Sequence, residues 1–232
     1  MHAQKTVEIL FEILINGDRP AARTLLAECA DRGQSPRAVL LDVLWPTYEL
    51  VERLHRVDNL SILAYRTATR LLRVLVDQVA RDLPMAVRNG RRVLAVCGPT
   101  DADELGAQLA VDMLESAGFA VTFAGGDLPA DEVMAQVHES HPDVLLMFAS
   151  APSDLPTIRG MIDQMREIGA SSDTQIVVGG GVFNRADGLA EEIGADLWAS
   201  DPAELVETLM MEPERRAVAE QRTVGKKRRK AA

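Results

Sequence analysis

Residues 4–83 place apolar side chains three and four positions apart, with almost no two-residue alternation. That spacing predicts helices. VEILFEIL predicts a first helix that ends at Asn16-Gly17. Asp18-Arg19-Pro20 opens a second, AARTLLAECADRG, which Gly33 closes. Ser35-Pro36 starts a third, RAVLLDVLWPTYELVERLHR, where Pro46 is expected to kink or split the run. Asp58 or Asn59 is expected to cap LSILAYRTATRLLRVLVDQVARDL. Four to five helices joined by short loops read as a small bundle.

The pattern changes at residue 91. RVLAV, AVTFAG, DVLLMFAS, TQIVVGG and DLWAS are short Val- and Leu-rich runs. Helical stretches separate them: ADELGAQLAVDMLESAG, ADEVMAQVHES, SDLPTIRGMIDQMREIG and RADGLAEEIG. Alternation of this kind predicts βαβ units and a parallel sheet covered on both faces. The expected fold class is α/β: an N-terminal four- to five-helix bundle, then a flavodoxin-like, doubly wound, five-stranded parallel sheet. The expected boundaries are a bundle over 1–84, a linker over 85–90, a Rossmann-like domain over 91–212 and a tail over 213–232. In such sheets the ligand crevice lies at the carboxyl ends of the strands.

Composition narrows the function. The net charge of −10 argues against a body that binds nucleic acid. Nucleic acid is not expected except through the tail block Lys226, Lys227, Arg228, Arg229 and Lys230, which reads as disordered, and a lone basic tail of this kind is usually a solubilising end. Only 4% of residues are aromatic, so Leu, Val, Ile, Ala and Met must fill the core. Cys29 and Cys97 sit in apolar runs and read as buried free thiols. No apolar stretch approaches a membrane span or a signal peptide, so a cytoplasmic protein without membrane contact is expected.

No G-x-S-x-G elbow, phosphate-binding loop, G-x-G-x-x-G or Cys–His pairing is present, so no catalytic constellation is predicted. A receiver domain would need an Asp ending the third strand and a Lys ending the fifth, where the chain has FASAPSD and WASDP. PTDADELG follows the first strand with three acids and no base. Acids at a helix start are stabilising in themselves, so helix capping competes with any ligand role. His138 and His141 lie near a helix end without a carboxylate or thiol signature and read as exposed.

A bundle followed by a five-stranded parallel domain resembles the cobalamin-binding modules of methionine synthase, methyltransferase corrinoid proteins and cobalamin photoreceptor regulators. The resemblance covers about residues 4–210. The family pattern D-x-H-x-x-G is similar to Asp101-Ala102-Asp103-Glu104-Leu105-Gly106, with Asp103 at the His position. Ser150 stands where the family has a Ser after the third strand, and Gly179, Gly180 and Gly181 match its glycine run after the fourth. Aligned with the photoreceptor pattern W-x9-E-H, His55 falls at the Trp, and Tyr65 and Arg66 at the Glu and His. The resemblance thus implies a ligand set of Asp101, Asp103, Gly106, Ser150, Gly179, Gly180 and Gly181 on the sheet domain, and His55, Tyr65 and Arg66 on the bundle.

In the family that His ligates cobalt, and a carboxylate is a poorer partner for it. Three readings follow. Cobalamin is held without a protein lower His, with His55 reaching the metal from above. Or a metal-free tetrapyrrole such as a biliverdin-like bilin offers N–H groups to Asp103 and propionates to Arg53, Arg56 or Arg66. Or the chain is a ligand-free interaction module. The expected function is a non-catalytic sensor or regulator, with a light response among its options and a large planar ligand between bundle and sheet. It would act on a regulatory protein partner or on itself as a homo-oligomer. The alternative is a corrinoid carrier in methyl transfer.

Overall fold

The computed structural model describes residues 2–169 and 172–218. Two compact units divide at the peptide between Ala86 and Val87.

The first unit is helical. Helix α1 (His2–Ile15) buries Val7, Leu10 and Leu14 and ends at Gly17, whose φ is +68°. A Cβ at Gly17 would also press on Thr67. Asp18 caps α2 (Arg19–Asp31) by accepting from the Ala21 amide at 3.0 Å. Cys29 is fully buried on that helix. Ser35 caps α3 (Pro36–Val39), accepting from Ala38 N.

At Pro46, expected to kink or split the run, the helix type changes. A π-helical turn, Leu40–Leu44, leads directly into α4 (Trp45–Arg56), and the Trp45 amide donates to the Leu40 carbonyl. The wider turn absorbs the residue that cannot donate. Helix α4 closes at Asp58, whose φ is +56°, with Asp58 N bonded to His55 O and Asn59 N to Leu54 O. This is a Schellman end. The expected caps Asp58 and Asn59 therefore finish α4. Ser61 is the cap of α5 (Ile62–Ala80), accepting from Ala64 N at 3.2 Å.

The second unit is a five-stranded, wholly parallel sheet in the order β2-β1-β3-β4-β5. Its strands are β1 (Arg92–Cys97), β2 (Ala120–Gly125), β3 (Val144–Phe148), β4 (Gln175–Gly179) and β5 (Leu197–Ala199). Helices α6 (Asp101–Ser116), α7 (Ala130–Ser140) and α8 (Leu155–Ile168) follow β1, β2 and β3. Two short helices, α9 (Gly181–Asn184) and α10 (Leu189–Ile193), follow β4, and α11 (Pro202–Met211) follows β5.

Strands β3 and β4 are buried along their whole length, while the edge strand β2 alternates between exposed and half-buried positions. Leu94, Val96, Leu145, Met147, Ile176 and Val178 form one core face with α7 and α8. Helices α6 and α11 pack together over the other face. Strand order reverses between β1 and β3, so the carboxyl ends of these two strands flank the crevice.

The opposite end of the sheet is clasped by the residues after α11. Gln175 donates to the carbonyls of Glu212 and Arg215, and buried Asp196 accepts from Ala217 N at 2.7 Å. Arg215 lies over the Trp198 ring. The tail expected to begin at residue 213 is thus bonded to the sheet through residue 217. Its basic block lies outside the described residues.

The candidate corrinoid crevice

The β1–α6 turn is built by a reciprocal cap. Thr100, and neither of the aspartates, is the N-cap of α6. The Asp103 amide donates to Thr100 Oγ1 at 3.1 Å, and Asp103 Oδ2 accepts from Thr100 N at 3.3 Å and from Thr100 Oγ1 at 2.5 Å. This capping box satisfies amides at the helix start that have no intrahelical acceptor. Asp101 is exposed in the first turn, and Gly106 is buried one turn further on.

Asp103 is 1% exposed, and its second oxygen, Oδ1, is buried without a hydrogen-bond partner. The carboxylate lies against Gly98. A Cβ at Gly98 would come within 2.7 Å of Asp103 Oδ2 and 3.0 Å of Asp154 Oδ2. Asp154 belongs to the turn after β3, and its Oδ2 is also buried and unpartnered. Burial raises the pKa of Asp154 above the ordinary carboxylate range, and the nearby Asp103 charge raises it further. Bonds from the Ala151 amide and Ser153 oppose the shift.

At the end of β3, Ser150 Oγ is buried and unpartnered, while its carbonyl accepts from Arg185 at 2.6 Å. The three glycines after β4 differ in kind. Gly180 has φ +103° and packs on the Ala149 backbone, where a Cβ would overlap the carbonyl oxygen, so it is required by the fold. A Cβ at Gly181 would meet only the mobile end of the Arg185 side chain, at 2.7 Å. At Gly179 a Cβ would find ordinary contacts of 3.8 and 3.9 Å, so packing alone does not demand glycine there.

A cavity of about 370 Å³ opens beside these turns. Val96, Met147, Phe148, Ile158 and Met161 give it an apolar floor, and Cys97, Asp127, Ser153 and Asp154 give it polar walls. Cys97 is half-buried there, not fully buried as its apolar run implied. Asp103, Ser150 and Gly179–Gly181 sit in and after the turns that follow β1, β3 and β4, but none of them lines this cavity. Gly98, Thr100, Asp127 and Asp154 were not anticipated. The T-x-x-D spacing of Thr100 and Asp103 was a legible capping signal; no pattern pointed to Asp154.

His55, Tyr65 and Arg66 belong to the helical unit. The His55 and Tyr65 rings stack at 3.7 Å, Tyr65 donates to Glu52 at 2.8 Å, and Arg66 is exposed. His138 and His141 meet edge to face at 5.8 Å. Among the described residues no cluster of three or more His, Cys, Asp or Glu side chains could hold a metal ion.

The profile of the B12-binding domain family matches residues 91–207, half of the chain and most of the sheet unit. The chain belongs to the B12-binding domain family. Dimethylamine corrinoid protein 1 of Methanosarcina acetivorans is 30% identical over 133 residues, 56% of this chain and 62% of the relative. Dimethylamine corrinoid protein 3 of the same organism is 31% identical over 133 residues, 56% of this chain and 61% of the relative. This B12-binding chain therefore spans less than two thirds of the length of these relatives. In three dimensions it is similar to the monomethylamine corrinoid protein of Methanosarcina barkeri, with a TM-score of 0.79 and 17% identity, covering 90% of this chain and 98% of the other. At that identity the likeness shows the shared fold.

These relatives overturn the expected sensor. They are named corrinoid proteins, which favours the carrier alternative over a non-catalytic regulator. Signalling and light response find no support among them. The family match speaks for a corrinoid ligand, and the bilin reading gains nothing from it. No helix among the described residues is long and apolar enough to cross a membrane.

Proposed function

We propose that this chain is a corrinoid carrier, which holds its cofactor at the carboxyl end of the parallel sheet and presents it to a methyltransferase partner. The similarity to named corrinoid proteins, together with the B12-binding match over residues 91–207, carries this reading.

The residues at the crevice fit such a group. Buried, unpartnered Ser150 Oγ offers a hydrogen-bond donor at the end of β3. Leaving such a hydroxyl unpaired in a closed core would be costly, so a ligand acceptor accounts for it. Gly179 leaves strand-end backbone open to close approach, without a packing reason of its own. The cavity beside Cys97 and Asp154 adds apolar walls for a large ligand. When bound, the corrinoid supplies a cobalt centre for methyl transfer.

Residues 101–106 contain no imidazole, so we infer that the cofactor is held without a histidine from this loop. Asp103 serves the turn: through Oδ2 it fixes the start of α6 on Thr100. Gly180 and Ala149 hold the β4 and β3 ends together, with Ala149 N donating to Gly179 O at 2.9 Å.

The test is retention of methylcobalamin, in the dark, through gel filtration. One corrinoid per chain is expected, with weaker retention in Ser150→Ala. A protein that passes through colourless sinks the reading. A second arm adds a dimethylamine-type methyltransferase. A loaded protein that exchanges no methyl group with any such enzyme would sink the carrier role while leaving corrinoid binding.

A further inference from the structure

Gly98 lies between two carboxylates that come from different turns. Asp103 stands on the first turn of α6, and Asp154 ends the 3-10 turn Pro152–Asp154 after β3. Both approach the point where any other residue at position 98 would carry its Cβ. Each has one buried oxygen without a partner, Oδ1 on Asp103 and Oδ2 on Asp154. Asp103 itself is 99% removed from solvent, being only 1% exposed. Two buried acceptors side by side, both unsatisfied, are a costly arrangement for a protein to keep for folding alone.

No Lys or Arg among the described residues pairs with either carboxylate. The ionisable groups on the surrounding elements are Asp101 and Glu104 on α6, the Cys97 thiol on β1, Asp127 beside α7, Arg159 on α8 and Arg185 after α9. The two cations are engaged elsewhere: Arg159 pairs with Asp163 at 3.7 Å, and Arg185 donates to the Ser150 carbonyl. A metal ion is a poor answer, since no third ligating side chain joins the pair. What the pair lacks is donors for Asp103 Oδ1 and Asp154 Oδ2.

We propose that Asp103 and Asp154 form one acceptor subsite, split across Gly98, with Asp154 and Gly98 on the cavity wall and Asp103 behind it, that receives ligand N–H groups of the primary-amide class. This rests on the corrinoid reading, because the rim of a corrin ring carries acetamide and propionamide side chains. The subsite selects against a ligand that presents carboxylates in their place, since like charges would meet in a dry setting. It also couples binding to protons. Free of ligand, Asp154 is pushed toward its neutral form by burial and by Asp103. An amide N–H donated to Asp154 favours the ionised carboxylate, so the pair releases a proton as the ligand arrives. Asp154 is then a positioning residue that no pattern read in this sequence marked.

The experiment measures methylcobalamin affinity in the dark against pH, together with the proton count from calorimetry in buffers of different ionisation enthalpy. The wild-type chain is expected to bind more tightly as pH rises through the Asp154 titration and to release up to one proton below it. Asp154→Asn is expected to keep the fold, to bind about tenfold more weakly, and to lose both the pH slope and the proton release. A carboxyl-labelled NMR titration of the ligand-free protein reads the pair directly. Asp154 should titrate above the ordinary range and move down in Asp103→Asn. Binding that is tight but independent of pH, or unchanged in Asp154→Asn, overturns the subsite and leaves the carrier reading intact. Absence of any binding overturns both.

Discussion

The Thr100 hydroxyl lies 2.5 Å from Asp103 Oδ2, and the Asp103 amide returns the bond to Thr100 Oγ1 at 3.1 Å. The acid at position 103 is thereby tied to its own helix. Thr100→Val keeps the shape and removes the cap. It should cost about 1 kcal/mol in stability, read from urea unfolding. Because Asp103 loses its anchor, corrinoid retention should fall as well. A variant as stable as the wild type would refute the capping role.

Stability should depend on pH through Asp154. Its folded pKa is raised, chiefly by burial and then by Asp103. In the unfolded chain it titrates in the ordinary carboxylate range. A raised folded pKa means that its contribution is fully present below the unfolded value and is lost as pH rises through the folded value. Asp154→Asn should therefore melt higher than the wild type at neutral and alkaline pH, and the gap should close in acid. Thermal melts across that range check it; a constant gap would contradict it.

Two neighbouring glycines should respond differently. Gly180→Ala forces a Cβ into the Ala149 carbonyl at a φ of +103° and should cost roughly 1–3 kcal/mol or more. Gly179→Ala meets only contacts of 3.8 and 3.9 Å and should leave stability within about 1 kcal/mol of wild type. If position 179 faces the ligand, the same change should still lower methylcobalamin retention. Paired melts and retention assays separate the two effects.

In the bundle, Tyr65 donates to Glu52 while its ring stacks on His55. Tyr65→Phe keeps the stack and removes the bond, and should cost about 1 kcal/mol. Tyr65→Leu removes both and should cost more. Equal effects would mean that the stack contributes nothing measurable.

The helices, strands and their order were legible because they rest on local periodicity and on turn residues. The Asn16-Gly17, Asp18 and Ser35 signals sit where helices end and begin. One local reading went astray for a physical reason. Asp58 can adopt a left-handed conformation and so ends α4, leaving Ser61 to start α5. Pro46, expected to kink or split the run, follows a π turn in which the Trp45 amide bonds the Leu40 carbonyl, and the helical run continues past it. The sensor reading failed for another reason. It leaned on one departure from a motif, whereas function here is carried by likeness over a whole domain.

The sequence by itself determined the two units, the parallel sheet, and the loops that carry Asp103, Ser150 and Gly179–Gly181, since period and turn chemistry are written over a few adjacent residues. It could not determine that Asp154, 51 positions beyond Asp103, shares the space beside Gly98. Only the tertiary structure decided that. The contact depends on β1 and β3 lying side by side in register, and strand order leaves no local trace in the chain.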